Sequence, residues 1–250
     1  MARKDIDTSA LDIMEDEPQT ETALAPRGET AIGSVNVDLD IGAIQLPRLQ
    51  LTYGVGRLAE HFAPGDLVLG GDNLLAHKGE SLEIIILSLD QFWKEYLSSE
   101  MYQSGLLPRS FGSKEEVLAN GGTVKWVQGQ DKPTFKPALD IKMLIAKPDG
   151  LTCGLFAIDL PDNKLYAPAV MTLDKTSYSA AGPGLVTICG YALAGCLLAG
   201  RFQLSTGMKP MGKNIVPVPS IKLMPDRNTP EVVAEIMAKF AGRATETVED

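Results

Sequence analysis

The stretch Leu82 to Leu89 reads LEIIILSL, a nearly unbroken apolar run with three β-branched residues in succession. A run this short and this apolar fits a strand covered on both faces, because β-branched side chains pack well on a pleated surface and crowd a helix. The rest of the chain repeats the theme in weaker form. Its 24 Gly and 16 Pro fall mostly between short apolar segments, which favours many strands joined by turns over a helical bundle. Ile44 to Thr52 alternates about Pro47, and Pro64-Gly65-Asp66 and Gly70-Gly71-Asp72-Asn73 are turn signals on either side of Leu67 to Leu69. Thr123 to Gln128, Leu139 to Ala146, Gly154 to Leu160, Leu165 to Thr172, Arg201 to Thr206 and Ile215 to Leu223 are further predicted strands. Asp90 to Leu97 fits a short helix or a continued strand equally well.

Three helices are expected among them. Ser113 and Glu116 have capping-box spacing, and Gly121-Gly122 would end the helix they start. Leu185 to Ala199 is apolar on most sides and reads as a buried helix opened by Gly182-Pro183-Gly184. Thr229-Pro230-Glu231 opens a C-terminal helix over 230–240, with Thr as the cap and Pro in the first turn. The predicted fold class is therefore mostly β (α+β), with a buried helix and a C-terminal helix.

Charge divides the chain into three. Residues 1–30 hold three basic and eight acidic side chains, a net of −5, and lack the apolar surface that would offset ordering entropy. They are expected to be a disordered acidic segment. Residues 241–250 form a short acidic tail, leaving a single domain over 31–240 with a net charge of only −2. Inside that domain, 164–222 carries six basic residues against one acid, Asp174, which is compatible with a polyanionic partner and equally with a solvated surface.

Complete catalytic motifs are missing. Gly207 to Asn214 (GMKPMGKN) has P-loop spacing up to its last position, where Asn214 replaces the hydroxyl residue that would hold magnesium. Pro217 and Pro219 then occupy the place of the required helix, so a loop is expected. His61 and His77 have no partner at metal-ligand spacing, and Asp159 and Asp162 flank a turn where Asp is ordinary. Cys153, Cys189 and Cys196 are an odd set without a disulfide framework. Residues 1–29 have no apolar core of a signal peptide, and 185–199 is too short to span a bilayer. The expectation is a non-enzymatic cytoplasmic protein without cofactor, metal or membrane contact.

What remains is cations beside aromatics in the predicted β body: Lys125-Trp126, Phe135-Lys136, Lys164 and Tyr166, Lys175 and Tyr178, and Arg201-Phe202. Single-strand binders need this mixture, because bases stack on exposed rings while cations neutralise phosphates. Any one such ring is more often core than platform. As a set, Lys125, Trp126, Lys136, Lys164, Tyr166, Lys175, Tyr178, Arg201 and Lys213 are the candidate nucleic-acid-binding residues.

The order of several motifs adds to this. Leu46-Pro47-Arg48-Leu49-Gln50-Leu51, Pro64-Gly65-Asp66-Leu67-Val68, the Leu82 to Leu89 strand with Phe92-Trp93-Lys94-Glu95, Lys175-Thr176-Ser177-Tyr178-Ser179 and Phe202-Gln203-Leu204-Ser205-Thr206 follow one another across about residues 44–223. Taken as a string, they resemble the phage and prophage proteins grouped with phage single-stranded DNA-binding proteins. The resemblance implies an OB-like barrel, protection of single strands in DNA replication or recombination, and an acidic C-terminal tail that recruits replication or recombination proteins or shields the groove. The tail here, with Glu246, Glu249 and Asp250, is weakly acidic and has no terminal aromatic. The alternative expectation is a phage structural or assembly protein working through protein contacts at 185–199 and at strand edges. A homo-oligomer is compatible with both.

Overall fold

The LEIIILSL run lies in the longest strand, Ser81–Glu95, of a computed structural model that describes residues 45–125, 134–211 and 214–240. Ile84, Ile85 and Ile86 are each fully buried, so this strand is covered on both faces as its composition demands. It is β4 in a seven-stranded sheet made with β5 (Ser110–Phe111), β6 (Phe135–Ala146), β7 (Ile158–Asp159), β8 (Leu165–Leu173), β9 (Gly200–Met211) and β10 (Asn214–Arg227). The order is β10-β9-β4-β6-β8-β7, with β5 along the far end of β4, and all the pairings are antiparallel. Three strands, β4, β6 and β8, thus meander, and β9 returns to the other side of β4 in Greek-key order. A second, three-stranded sheet is formed by β1 (Leu49–Leu51), β2 (Leu67–Leu69) and β3 (Asn73–Ala76).

The large sheet separates two hydrophobic clusters. Ile84, Ile86, Ile141, Met143, Ala169 and Phe202 meet the leucines of the small sheet and Ala181 and Leu185 on one face. Ile85, Leu144 and Tyr166 meet Val232 and Ile236 of the C-terminal helix on the other. A bulge between Ile86 and Ser88 inserts one residue, so that Leu89 rejoins the first cluster. Pro217 and Pro219 sit on β10, an outer strand, where no second ladder needs the missing N–H.

Among the described residues the architecture is mostly β, with 42% strand and 24% helix in two sheets and a few helices. Among the described residues neither sheet closes on itself, so barrel closure is not among the observed pairings. The helices are α1 (Ser99–Gln103), α2 (Lys114–Ala119), α3 (Lys175–Thr187) and α4 (Pro230–Phe240). Ser113 caps α2 by accepting from the Glu116 N–H at 3.1 Å, and Gly121 follows with φ of 74°. α4 has the bounds that its Thr-Pro start predicts.

Four expectations need correction. The helix expected at 185–199 begins ten residues earlier and runs through Gly182-Pro183-Gly184. Its start is held by Ser177, whose hydroxyl accepts from the Asp174 N–H at 2.9 Å and donates to the Asp174 carbonyl at 2.6 Å. After Thr187 it loosens into a wide turn, Ile188–Ala192, and only Leu185, Cys189 and Leu193 are buried there, with Tyr191 and Cys196 exposed. The strand expected at 154–160 shrinks to Ile158–Asp159, and residues 123–125 are not in a strand, while 126–128 lie outside the described residues. The P-loop-like Gly207 to Asn214 is a hairpin end in which Met211 pairs with Asn214. Strand stands on both sides of it, so no helix N-terminus faces a phosphate there.

Candidate nucleic-acid interface

Residues two apart on a strand share a face, and from Phe92 through Lys94 to Tyr96 that face of β4 and its continuation carries ring, cation and ring. α4 covers the sheet around Ile85 and Leu144 and leaves this end open. The cross-strand partner of Lys94 is Lys136 on β6, and that of Asp90 is Asp140. Like charges directly opposite are unfavourable in a sheet unless something offsets them. Lys94 is offset by Asp174, at 2.9 Å, and Asp90 by Lys142, at 3.0 Å. Asp140 accepts from the Thr172 hydroxyl at 2.6 Å. Lys136 instead lies 4.5 Å from the centre of the Tyr96 ring, and Lys175, from the start of α3, lies 5.0 Å from it. Tyr96 as a residue is 45% exposed.

Beside this cluster is a depression of about 500 Å³ lined by Arg48, Phe92, Lys94, Phe111, Asp140 and Thr172, among others. Arg48 comes from the chain just before β1. A bond from the Val170 N–H to the Pro47 carbonyl, at 3.0 Å, places it against β8. The opposite wall is built on the short pairing of β5 with β4, where Phe111 faces Trp93 in register. Arg109 holds that wall through two bonds to Glu95, at 2.7 and 3.0 Å, and the contact keeps the Glu95 carboxyl below its ordinary value.

Of the residues expected from sequence, Lys136 and Lys175 are brought together at Tyr96. Lys164, Tyr166 and Arg201 are brought together elsewhere, in a network whose Tyr166 and Arg201 are turned inward while Lys164 stays at its exposed rim. Arg201 bonds Glu83 at 2.8 Å, Asp162 at 2.6 Å and Asn228 at 2.7 Å, with its side chain only 13% exposed. Lys164 bonds the other Glu83 oxygen at 2.6 Å. Tyr166 is 0% exposed and donates its hydroxyl to Asp162 at 2.7 Å. Burial and the Asp162 carboxylate push that phenol far above the ordinary tyrosine range. Its ring is therefore not a stacking platform, and the charge of Arg201 is spent on two carboxylates. Tyr178 is half-buried against the main cluster. Its ring lies over Gly182, where an added Cβ would come within 2.8 Å of it. Lys125 is exposed at the edge of the described residues, and Trp126 and Lys213 lie outside them.

Arg48, Phe92, Lys94 and Tyr96 were not among the sequence-derived candidates. Their signal was available as the alternation Phe92-x-Lys94-x-Tyr96, legible only once residues 90–95 are known to be strand. Asp159 and Asp162 do not act as a pair, since Asp162 belongs to the Arg201 network. His77 reaches Asp66 at 3.3 Å, and Cys153 donates to Asn73 at 3.4 Å. Among the described residues no three His, Cys, Asp or Glu are grouped to hold a metal ion. No described helix is long and apolar enough to cross a membrane. Compared with family models, with curated proteins and with solved structures, the chain matches none.

Proposed function

We propose that this protein binds single-stranded DNA without catalysis, as a phage-type replication or recombination protein, through the open end of the large sheet. The observation that carries the reading is the convergence of Lys136 and Lys175 on the ring of Tyr96, an exposed residue, with Lys94 opposite Lys136. An incoming phosphate draws the ammonium groups from the ring, freeing a face for a base. Arg48 and Phe92 extend the same surface. Asp140 and Asp174 lie within it, so binding is expected to be modest and salt-sensitive. The OB-like reading keeps the Greek-key order β9-β4-β6-β8 as its support.

The test is a tryptophan-fluorescence titration with oligo-dT over a range of salt. Four cations in contact (Arg48, Lys94, Lys136, Lys175) predict a slope of log affinity against log salt of about −3, at about 0.7 per phosphate on single strands. No binding at low salt would remove the proposal. The assembly-protein alternative has its own observation, the exposed Val186 and Tyr191 at the end of α3. It expects large oligomers in light scattering and no response to DNA. Recruitment of partners by the acidic tail concerns residues 241–250, outside the described residues.

A further inference from the structure

A second cavity of about 500 Å³ lies between the segment 50–58 and the junction of β8 with α3. It shares Arg48 and Thr172 with the groove, so the two depressions meet at those residues. Arg57 lines it too, and among the described residues neither arginine makes an ion pair. The lining carboxylate, Asp174, is already paired with Lys94. Tyr53, 38% exposed, lines the same cavity.

The segment carrying Tyr53 and Arg57 is pinned at its base. The Thr52 N–H donates to the Asp66 carbonyl at 2.9 Å, the Gly65 N–H to the Thr52 carbonyl at 3.0 Å, and the Thr52 hydroxyl to the Asp66 carbonyl at 3.0 Å. A pinned loop presents its side chains at little ordering cost on binding. The volume falls in the range of about 300–1,000 Å³ typical of small-molecule sites. Guanidinium groups suit phosphodiester oxygens, and an exposed ring suits a base.

We infer that this cleft receives one nucleotide of the bound strand, with Arg48 and Arg57 on its flanking phosphates and the base stacked on Tyr53. The inference rests on the single-strand reading and deepens it, because a base seated on Tyr53 between two arginine-held phosphates would give the strand a fixed register. The experiment uses the full chain with oligo-dT carrying 5-iodouracil, and compares wild type with Arg57→Gln and Tyr53→Leu. Arg57→Gln should weaken binding about fivefold at 0.1 M salt and make the salt slope shallower by about 0.7. Tyr53→Leu should weaken it at least about fivefold, as loss of a stacked base does. Irradiation should cross-link the wild type at a peptide containing Tyr53. If wild type binds and both variants match it, the cleft assignment is overturned while the groove survives. If wild type does not bind, the groove reading fails and takes the cleft with it.

Discussion

Two clusters of cation and aromatic stand on the large sheet, and they differ in where the acids are. Around Arg201, the carboxylates of Glu83 and Asp162 lie within bonding distance of every basic and phenolic group, and all of the cluster but Lys164 is largely closed to solvent. Around Tyr96, the ion pair that the described residues make is Lys94 with Asp174, and Tyr96 itself is nearly half exposed. Adjacent residues of similar type serve as internal struts in the first case and as an open surface in the second. A cation beside an aromatic says nothing about exposure until the acids across the sheet are placed.

The contrast can be broken or sharpened by substitution. Arg201→Met should cost the most, about 3 kcal/mol of stability by urea denaturation, because Glu83 and Asp162 would keep buried charge with less compensation. Oligo-dT affinity of the folded protein should stay unchanged; a loss of affinity there would erase the distinction between the clusters. Tyr96→Leu should do the reverse, weakening oligo-dT binding by about 1–3 kcal/mol in titration with little effect on the urea midpoint. Unchanged affinity would show that the ring only supports its two lysines. The smallest effect is expected from Tyr166→Phe, about 1 kcal/mol of stability, since Asp162 keeps its bond to Arg201. Any change in DNA affinity from that variant would contradict the inward assignment of Tyr166.

The framework was legible in the sequence wherever local signals were strong. The triple isoleucine marked a strand covered on both sides, Thr229-Pro230 marked α4, and Ser113 marked α2. Legibility failed where the outcome depended on distant partners. Gly182-Pro183-Gly184 reads as a helix start, yet the helix runs through it because Ser177 caps it earlier and Gly182 makes room for the Tyr178 ring. Tyr166 looks presentable beside Lys164, yet α4 and Asp162 cover it, and these contacts come from across the sheet and from the turn before β8. At the candidate site, Lys136 and Lys175 were visible as cations. Tyr96 was passed over because Asp90 to Leu97 suits helix and strand alike, and only pairing with β6 decides between them.

The Greek-key order has a consequence for how the chain matures. Ser81 on β4 finds its partner, Ser205, only after β6, β8 and α3 have been made. One flank of the most apolar strand therefore stays bare during most of synthesis, with Leu82 and Ile84 waiting for Leu204 and Phe202. A chain that stops short of β9 leaves that edge unpaired, and the arrival of β9 is the event that seals it.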